Sequence, residues 1–115
     1  MRRTAALLSI LLFGGLTAGA DALKRTGSRS ADRIQGTAGD DRLSGRGGDD
    51  TIIGDAGSDG LLGGPGDDTL LGGAGRDRLN GGIGSDVISC GAGRDVVITD
   101  GLDAISSDCE VRRSG

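Results

Sequence analysis

The sequence has no histidine, no tryptophan and no tyrosine, and it contains one phenylalanine and one proline in 115 residues. Aromatic side chains supply much of the buried surface of ordinary domains, so their near absence argues against a conventional globular core. Without histidine, the two cysteines cannot complete a structural zinc site, and no pair of nucleophile and base can be named for catalysis. Something other than a bulky hydrophobic core must therefore hold the fold together.

Glycine is abundant instead, at 25 residues, and it recurs with a period of nine. Residues 63–80 read GGPGDDTLLGGAGRDRLN, which is two consecutive units of the form Gly-Gly-x-Gly-x-Asp-x-Leu-x. Seven units run from residue 36 to residue 98 without insertion, each with glycine at position four, aspartate at six and an aliphatic residue at eight. This regularity indicates a repeat protein. The sixth-position aspartates are Asp41, Asp50, Asp59, Asp68, Asp77, Asp86 and Asp95.

Each unit divides into a glycine-rich turn at positions one to six and a short strand at positions seven to nine. If two units form one coil of eighteen residues, alternate strands stack into two parallel sheets with the eighth position facing inward. One sheet then contributes Leu43, Leu61, Leu79 and Val97 to a thin core, and the other contributes Ile52, Leu70 and Ile88. The sequence therefore predicts an all-β protein, a parallel β-roll or two-sheet solenoid.

Both ends of the array continue the period imperfectly. Residues 27–35 retain Asp32 and Ile34 but lack the fourth-position glycine, and Asp103 and Ile105 again lie two residues apart after the array. We interpret both as degenerate end units, which a solenoid needs to cover its open faces. The predicted organisation is a signal peptide at 1–22, a linker and degenerate repeat at 23–35, seven repeats at 36–98 and a C-terminal cap at 99–115.

The first 22 residues differ from the rest of the chain. Arg2 and Arg3 precede an apolar run over residues 5–16, and small residues follow it. This order is typical of a secretory signal peptide, with cleavage after Ala20 or Ala22. The apolar run is too short to span a bilayer, so we expect no membrane span in the mature chain and an extracellular location.

Cys90 and Cys109 are the two cysteines of the chain. In an extracellular setting a single pair of this kind indicates a disulfide rather than a redox or metal site. Because Cys109 follows Cys90 by about one coil, the two residues are expected on stacked strands, which lie close enough for the bond. We predict that this disulfide caps the C-terminal end of the solenoid.

Stacking also brings the aspartates into two files. Asp41, Asp59, Asp77 and Asp95 fall along one edge, and Asp50, Asp68 and Asp86 fall along the other. Residues 36–98 contain 11 acidic and 5 basic residues, a net charge of −6, so the stacked carboxylates repel one another. Calcium suits such a scaffold because it accepts six to eight oxygen ligands in flexible arrangements, whereas magnesium requires a tight octahedron. No thiolate or imidazole cluster favours a transition metal.

Over about 63 residues the units resemble the RTX nonapeptide, the hemolysin-type calcium-binding repeat with the consensus GGxGxDxUx. The resemblance implies a parallel β-roll that holds calcium between turns one coil apart. The implied ligand pairs are Asp41 with Asp59, Asp59 with Asp77, Asp77 with Asp95, Asp50 with Asp68, and Asp68 with Asp86, which makes up to five full sites, with weaker sites at Asp32 or Asp103. Thr37, Arg46 and Asp55 depart from the consensus by replacing its second glycine, and Cys90 replaces a first glycine.

These observations lead to a main hypothesis and two alternatives. The main hypothesis is a secreted calcium-binding β-roll without catalysis, in which the free energy of calcium binding drives folding of a largely unfolded chain. The first alternative is a calcium-dependent surface or matrix interaction protein, whose partner is a cell surface, a glycan or a second copy. Neighbouring ninth-position residues Ile53 and Leu71 are a candidate contact for it. The second alternative is the remnant of a larger RTX toxin or hydrolase. No nucleic-acid partner is expected.

Overall fold

The computed structural model describes residues 24–99 and 102–113, so the predicted signal peptide at 1–22 lies outside the described residues. The described residues form eleven short strands separated by tight turns. No helix among them is long and apolar enough to cross a membrane. The strands are β1 (Lys24–Thr26), β2 (Arg33–Gln35), β3 (Arg42–Ser44), β4 (Thr51–Ile53), β5 (Gly60–Leu62), β6 (Thr69–Leu71), β7 (Arg78–Asn80), β8 (Val87–Ser89), β9 (Val96–Thr99), β10 (Ala104–Ile105) and β11 (Glu110–Arg113).

Alternate strands belong to alternate sheets. The odd-numbered strands form one parallel sheet in the order β1-β3-β5-β7-β9-β11, hereafter the odd sheet, and the even-numbered strands form a second parallel sheet, the even sheet. In the array each residue pairs with the residue eighteen positions later, as Leu43 does with Leu61. Two nine-residue units therefore make one coil. The prediction of an all-β parallel β-roll is confirmed.

The core is a narrow file of aliphatic side chains between the two sheets. Each three-residue strand from β2 to β8 has its middle residue buried and its outer two more exposed, because successive side chains of a strand alternate between its faces. The seven eighth-position residues are all exposed by 2 % or less, as predicted. Ile34 of the degenerate N-terminal unit extends the same file. Burial is thus limited to about two aliphatic side chains per coil.

Glycine is required where successive loops touch. A Cβ added at Gly54, the first residue of its unit, would lie 2.7 Å from Asp59 Oδ2 and 2.8 Å from the carbonyl oxygen of Gly72 in the next coil. The second residue of most units has a left-handed backbone, which Gly64 adopts with φ of 89°. Arg46 and Asp55 adopt the same conformation without being glycine. These two departures from the repeat therefore preserve the shape of the loop, at a conformational cost of about 1 kcal/mol each.

The ends of the solenoid are less regular than its centre. At the N-terminus β1 and β2 add one strand to each sheet, in the same eighteen-residue register. At the C-terminus Val87 pairs with Ala104 and Val96 with Glu110, so the coil shortens there. Cys90 is fully buried and forms a disulfide with Cys109, with Cα atoms 5.4 Å apart. The predicted pairing of the two cysteines is therefore present in the structure.

Candidate metal centre

The seven predicted aspartates lie at the last turn position before each strand, and the coil brings them together in two files. The loops that lead into the odd sheet carry Asp41, Asp59, Asp77 and Asp95, and the loops that lead into the even sheet carry Asp50, Asp68 and Asp86. All seven side chains are exposed by 3 % or less. Carboxyl groups are seldom buried so completely without a paired charge, so both files require a partner.

In the six carboxylates from Asp50 to Asp95, Oδ1 links two successive coils. The backbone N–H of Asp50 donates to Asp68 Oδ1 at 2.7 Å, and the N–H of Asp68 donates in turn to Asp86 Oδ1 at 2.7 Å. The other edge repeats the pattern, with Asp59 N–H to Asp77 Oδ1 at 2.9 Å and Asp77 N–H to Asp95 Oδ1 at 2.7 Å. Contacts of this kind satisfy the buried amides at the entry to strands β2 to β7 and hold neighbouring coils together.

The second oxygen of the same carboxylates has no hydrogen-bond partner. Among the described residues, a buried Oδ2 without a partner occurs at Asp50, Asp59, Asp68, Asp77, Asp86 and Asp95. In five of the six loops this atom lies directly against a glycine at the first position of its own unit; a Cβ at Gly72 would be 2.8 Å from Asp77 Oδ2. In the loop of Asp95 the first residue is Cys90. A buried charged acceptor without a partner is strongly unfavourable, so these six atoms mark where a cation or a proton would stabilise the fold.

The pKa values of these carboxyls respond to their burial. The pKa of Asp59 is raised to about 8, mainly by burial and also by the neighbouring carboxylates of Asp77 and Asp41, against the opposing effect of the hydrogen bond from the Asp41 amide. Burial likewise raises the pKa of Asp50, Asp77 and Asp86 to about 7. The pKa values of Asp68 and Asp95 are also raised by burial. Near neutral pH these sites therefore bind protons readily in the absence of metal.

The two N-terminal loops satisfy their aspartates differently. The amide of Thr37 donates to Asp41 Oδ2 at 2.6 Å, and its hydroxyl donates to Asp41 Oδ1 at 2.8 Å. In the preceding unit the amide and hydroxyl of Ser28 donate to Asp32 Oδ2 at 2.5 and 3.0 Å. Neither Ser28 nor Thr37 has the left-handed backbone found at the second position of later units. Here the protein itself supplies the partner that the later carboxylates lack.

The donor set of the six later loops fits calcium. Each loop offers a buried carboxylate oxygen without a partner, and the aspartates of successive coils are already linked through an amide one coil apart. Backbone carbonyl oxygens of the glycine-rich turns lie beside these carboxylates, as the Gly72 oxygen does near Asp59. An all-oxygen set of carboxylates and carbonyls is the environment that calcium prefers.

Sequence reasoning missed an outer file of aspartates at the fifth position. Asp49 Oδ1 accepts the amide of Asp67 at 2.9 Å, and Asp67 Oδ1 accepts the amide of Ser85 at 2.9 Å. On the other edge Asp40 Oδ1 accepts the amide of Ser58 at 2.8 Å. The doubled aspartate in the motif GDD was the available signal. These exposed side chains link neighbouring loops but are already hydrated, so they are weaker candidates for metal binding.

The predicted weaker sites, Asp32 and Asp103, lie at the two ends of the file that contains Asp50, Asp68 and Asp86. Asp103 Oδ1 accepts the amide of Asp86 at 3.0 Å, and its Oδ2 accepts the hydroxyl of Thr99 at 2.7 Å. Asp103 therefore ends its file with both carboxylate oxygens hydrogen-bonded. Among the described residues, Cys90, Asp108 and Cys109 also bring three potential metal ligands together, but the two sulfur atoms form the disulfide and cannot bind an ion.

The model of the RTX calcium-binding nonapeptide repeat, in a form that spans four copies, matches residues 26–61 and again residues 62–97. The two matched segments cover more than half of the chain, and all seven predicted aspartates fall inside them. Neither the curated proteins nor the solved structures gave a match. The repeat pattern, the parallel roll and the family model therefore agree on the same stretch of chain.

Proposed function

Because the chain belongs to the family of RTX calcium-binding nonapeptide repeat proteins, we propose that it is a secreted β-roll that folds on binding several calcium ions and has no catalysis of its own. The observation that carries the proposal is the set of six buried Oδ2 atoms without a partner. In the same six carboxylates Oδ1 accepts a backbone amide, so the missing partner is specific to Oδ2. A divalent cation supplies it.

The ligand pairs follow the links between coils. We assign the fully metal-dependent pairs as Asp50 with Asp68, Asp68 with Asp86, Asp59 with Asp77, and Asp77 with Asp95. In each pair Oδ1 keeps its hydrogen bond to the preceding coil and Oδ2 is the oxygen available to the ion. A fifth pair, Asp41 with Asp59, has a weaker demand for metal because Thr37 already contacts both oxygens of Asp41.

Calcium in these positions contributes positive charge that offsets repulsion along each aspartate file. The chain's own residues hold successive coils together through the Oδ1 contacts and the close approach of glycine loops, and the carboxylates of these coils would hold the ion. Since the core contains about two aliphatic residues per coil, hydrophobic burial alone is small, and the free energy of binding becomes free energy of folding. Extracellular modules of this kind typically work at about 0.1–1 mM calcium, a level that a cytosol does not reach.

The test is a far-UV circular dichroism titration of the purified protein at pH 7.5 with calcium, with magnesium and then with a chelator. We expect a cooperative coil-to-β transition with calcium, little change with magnesium at the same concentration, and reversal by the chelator. A spectrum that stays unchanged in calcium would contradict metal-coupled folding. A hydrolase screen of the calcium-loaded protein tests the absence of catalysis, and turnover of any substrate would overturn that part of the proposal.

A further inference from the structure

The outward face of the odd sheet contains a basic groove. The register places Lys24, Arg42, Gly60 and Arg78 side by side at the seventh position of successive coils. Gly60 has no side chain, and a Cβ added there would meet no atom within 4 Å. The row is therefore interrupted between two arginines, and a groove of about 350 Å³ opens at this point.

The neighbouring row completes the groove with uncharged residues. The groove is also lined by Ser44, Leu62 and Asn80, which occupy the ninth position in the strands of Arg42, Gly60 and Arg78. Leu62 is 44 % exposed, so the floor is partly aliphatic, while the serine and asparagine offer a hydroxyl and an amide. The groove therefore combines cationic walls, an apolar floor and neutral hydrogen-bonding groups.

The charge of this groove is opposite to that of the protein. The whole chain has a net charge of −4, yet none of the described residues that line the groove is acidic. The side chains of Arg42 and Arg78 are exposed and form no ion pair or hydrogen bond within the described residues. On the even sheet the outward rows contain one basic residue, Arg33. The positive charge is thus concentrated on one face and is available to a ligand.

We propose that this groove binds an acidic polysaccharide. It crosses the strands along the axis of the solenoid, so its cations follow one another at intervals of one or two strand spacings, about 5 or 10 Å. A linear polymer with repeating carboxylate or sulfate groups matches such a row, and arginine binds both groups through paired hydrogen bonds. The hydroxyl of Ser44 and the amide of Asn80 suit the hydroxyl groups of the sugar rings.

Two other polyanions fit less well. Single-stranded nucleic acid is normally held by bases stacked on aromatic side chains, and the face has none. Anionic membranes are recognised by clusters of about four to eight basic residues on an accessible surface, whereas the four basic residues that line this groove surround a recess. The groove exists only when the coils are stacked, so this inference rests on the β-roll of the proposed function being formed.

The test measures binding of hyaluronate and of dextran sulfate to the purified protein in calcium, by isothermal titration calorimetry at low and moderate salt. Hyaluronate presents carboxylates and dextran sulfate presents sulfates, so the two arms distinguish the anionic group. Neutral dextran and a single-stranded DNA oligonucleotide are the comparison polymers. Far-UV circular dichroism of the same samples reports whether the roll is formed. A chain that stays unfolded in calcium would count against the proposed function, whereas a folded chain without binding would count against the groove alone.

Three variants separate the groove from general electrostatics. We expect the double variant R42Q/R78Q to weaken binding by at least about tenfold, and G60V to weaken it similarly without a change in charge, because valine fills the gap. R33Q removes one charge from the opposite face and should change binding by less than about twofold. No binding of either acidic polymer to the folded protein would overturn the inference. Equal loss in R33Q, or tighter binding to the oligonucleotide, would do so as well.

Discussion

The two N-terminal loops and the six loops that follow them hold the same aspartate in two different ways. In loops 27–32 and 36–41 both carboxylate oxygens accept hydrogen bonds, the Oδ2 from the amide of Ser28 or Thr37. In the later loops Oδ1 has a backbone partner and Oδ2 has none. The sequence motif around the aspartate is nearly the same in both regions. The difference arises at the second residue of the unit, four positions before the aspartate.

Backbone conformation at the second residue of the unit, rather than the presence of glycine there, decides whether Oδ2 of the aspartate has a hydrogen-bond partner. Arg46 and Asp55 replace the second glycine as Thr37 does, but they keep the left-handed backbone, and the aspartates of their loops have an Oδ2 without a partner. Thr37 lacks that conformation, and its amide and hydroxyl turn towards Asp41. We therefore expect the N-terminal coil to depend less on metal than the rest of the roll does.

The largest expected effect is that of pH on the calcium-free protein. The folded pKa values of Asp50, Asp59, Asp77 and Asp86 lie near 7 or 8, above the value of about 3.9 for an unfolded aspartate. The folded state then holds more protons than the unfolded state between about pH 4 and pH 8, so the free energy of unfolding falls as the pH rises. This contribution is fully present below about pH 4 and lost above about pH 8.

Circular dichroism in chelator should therefore show β-structure gained on acidification from pH 8 to pH 5. Because protons here take the place of calcium at the later loops, the gain should be small when calcium is already saturating. A calcium-free protein whose stability stays constant or rises from pH 5 to pH 8 would contradict the assignment of these buried carboxyls.

The next largest effect concerns the close approach of successive loops, which the two regions share. Gly36 and Gly54 both have an aspartate oxygen and a backbone oxygen of the next coil where a Cβ would lie. We expect G36A and G54A each to lower the free energy of unfolding by at least about 2 kcal/mol, because the loops must move apart. G60A, in open space on a strand, should leave stability within about 1 kcal/mol. Urea denaturation in calcium measures all three, and a harmless G54A would refute the close stacking of loops.

A smaller effect is expected when one carboxylate loses its charge, and its size should differ between the two regions. D68N keeps an oxygen for the Asp50 amide but removes the charge that two proposed sites share. We expect the calcium midpoint of folding to rise about tenfold, which is about 1.4 kcal/mol. In chelator at pH 7.5 the same variant should be more stable than the parent, since an amide tolerates burial better than a carboxylate.

The matched control is D32N, whose carboxylate is paired with Ser28 in its own loop. Its calcium midpoint should shift by less than about twofold, a difference small beside that of D68N. If the calcium midpoints of folding shifted equally in D32N and D68N, the N-terminal and later loops would bind calcium alike. The proposed difference between the two regions would then be wrong.

The smallest effect concerns the residue that distinguishes the regions. T37G removes the hydroxyl that contacts Asp41 and should cost the calcium-free roll about 1 kcal/mol at pH 5, while T37S should retain most of the stability. In calcium the loss should shrink, because the ion can satisfy the Asp41 carboxylate that has lost its hydroxyl partner. Hydrogen exchange of the amides in residues 36–44 reports the local change. A T37G variant whose calcium dependence equals that of the parent would remove Thr37 from this role.

Most of the fold was predictable because the repeat encodes it locally. Glycine at the fourth position marks every turn, Leu70 and its equivalents mark the inward face of every strand, and the period of nine sets the pairing of residues eighteen apart. The same period predicted the two aspartate files and the proximity of Cys90 to Cys109. The groove on the odd sheet could also have been found, since Arg42, Gly60 and Arg78 are spaced by eighteen.

The sequence alone therefore determined the roll, its thin core and the placement of the carboxylates, because each depends on residue type at a fixed position in the period. Tertiary structure decided which carboxylates have a partner. That outcome depends on the backbone conformation at Thr37, Arg46 and Asp55, which share a position but differ in structure. It depends also on amides that approach from the preceding coil. Hydrogen-bond satisfaction is a property of atoms brought together by stacking, and a linear pattern of residue types does not contain it.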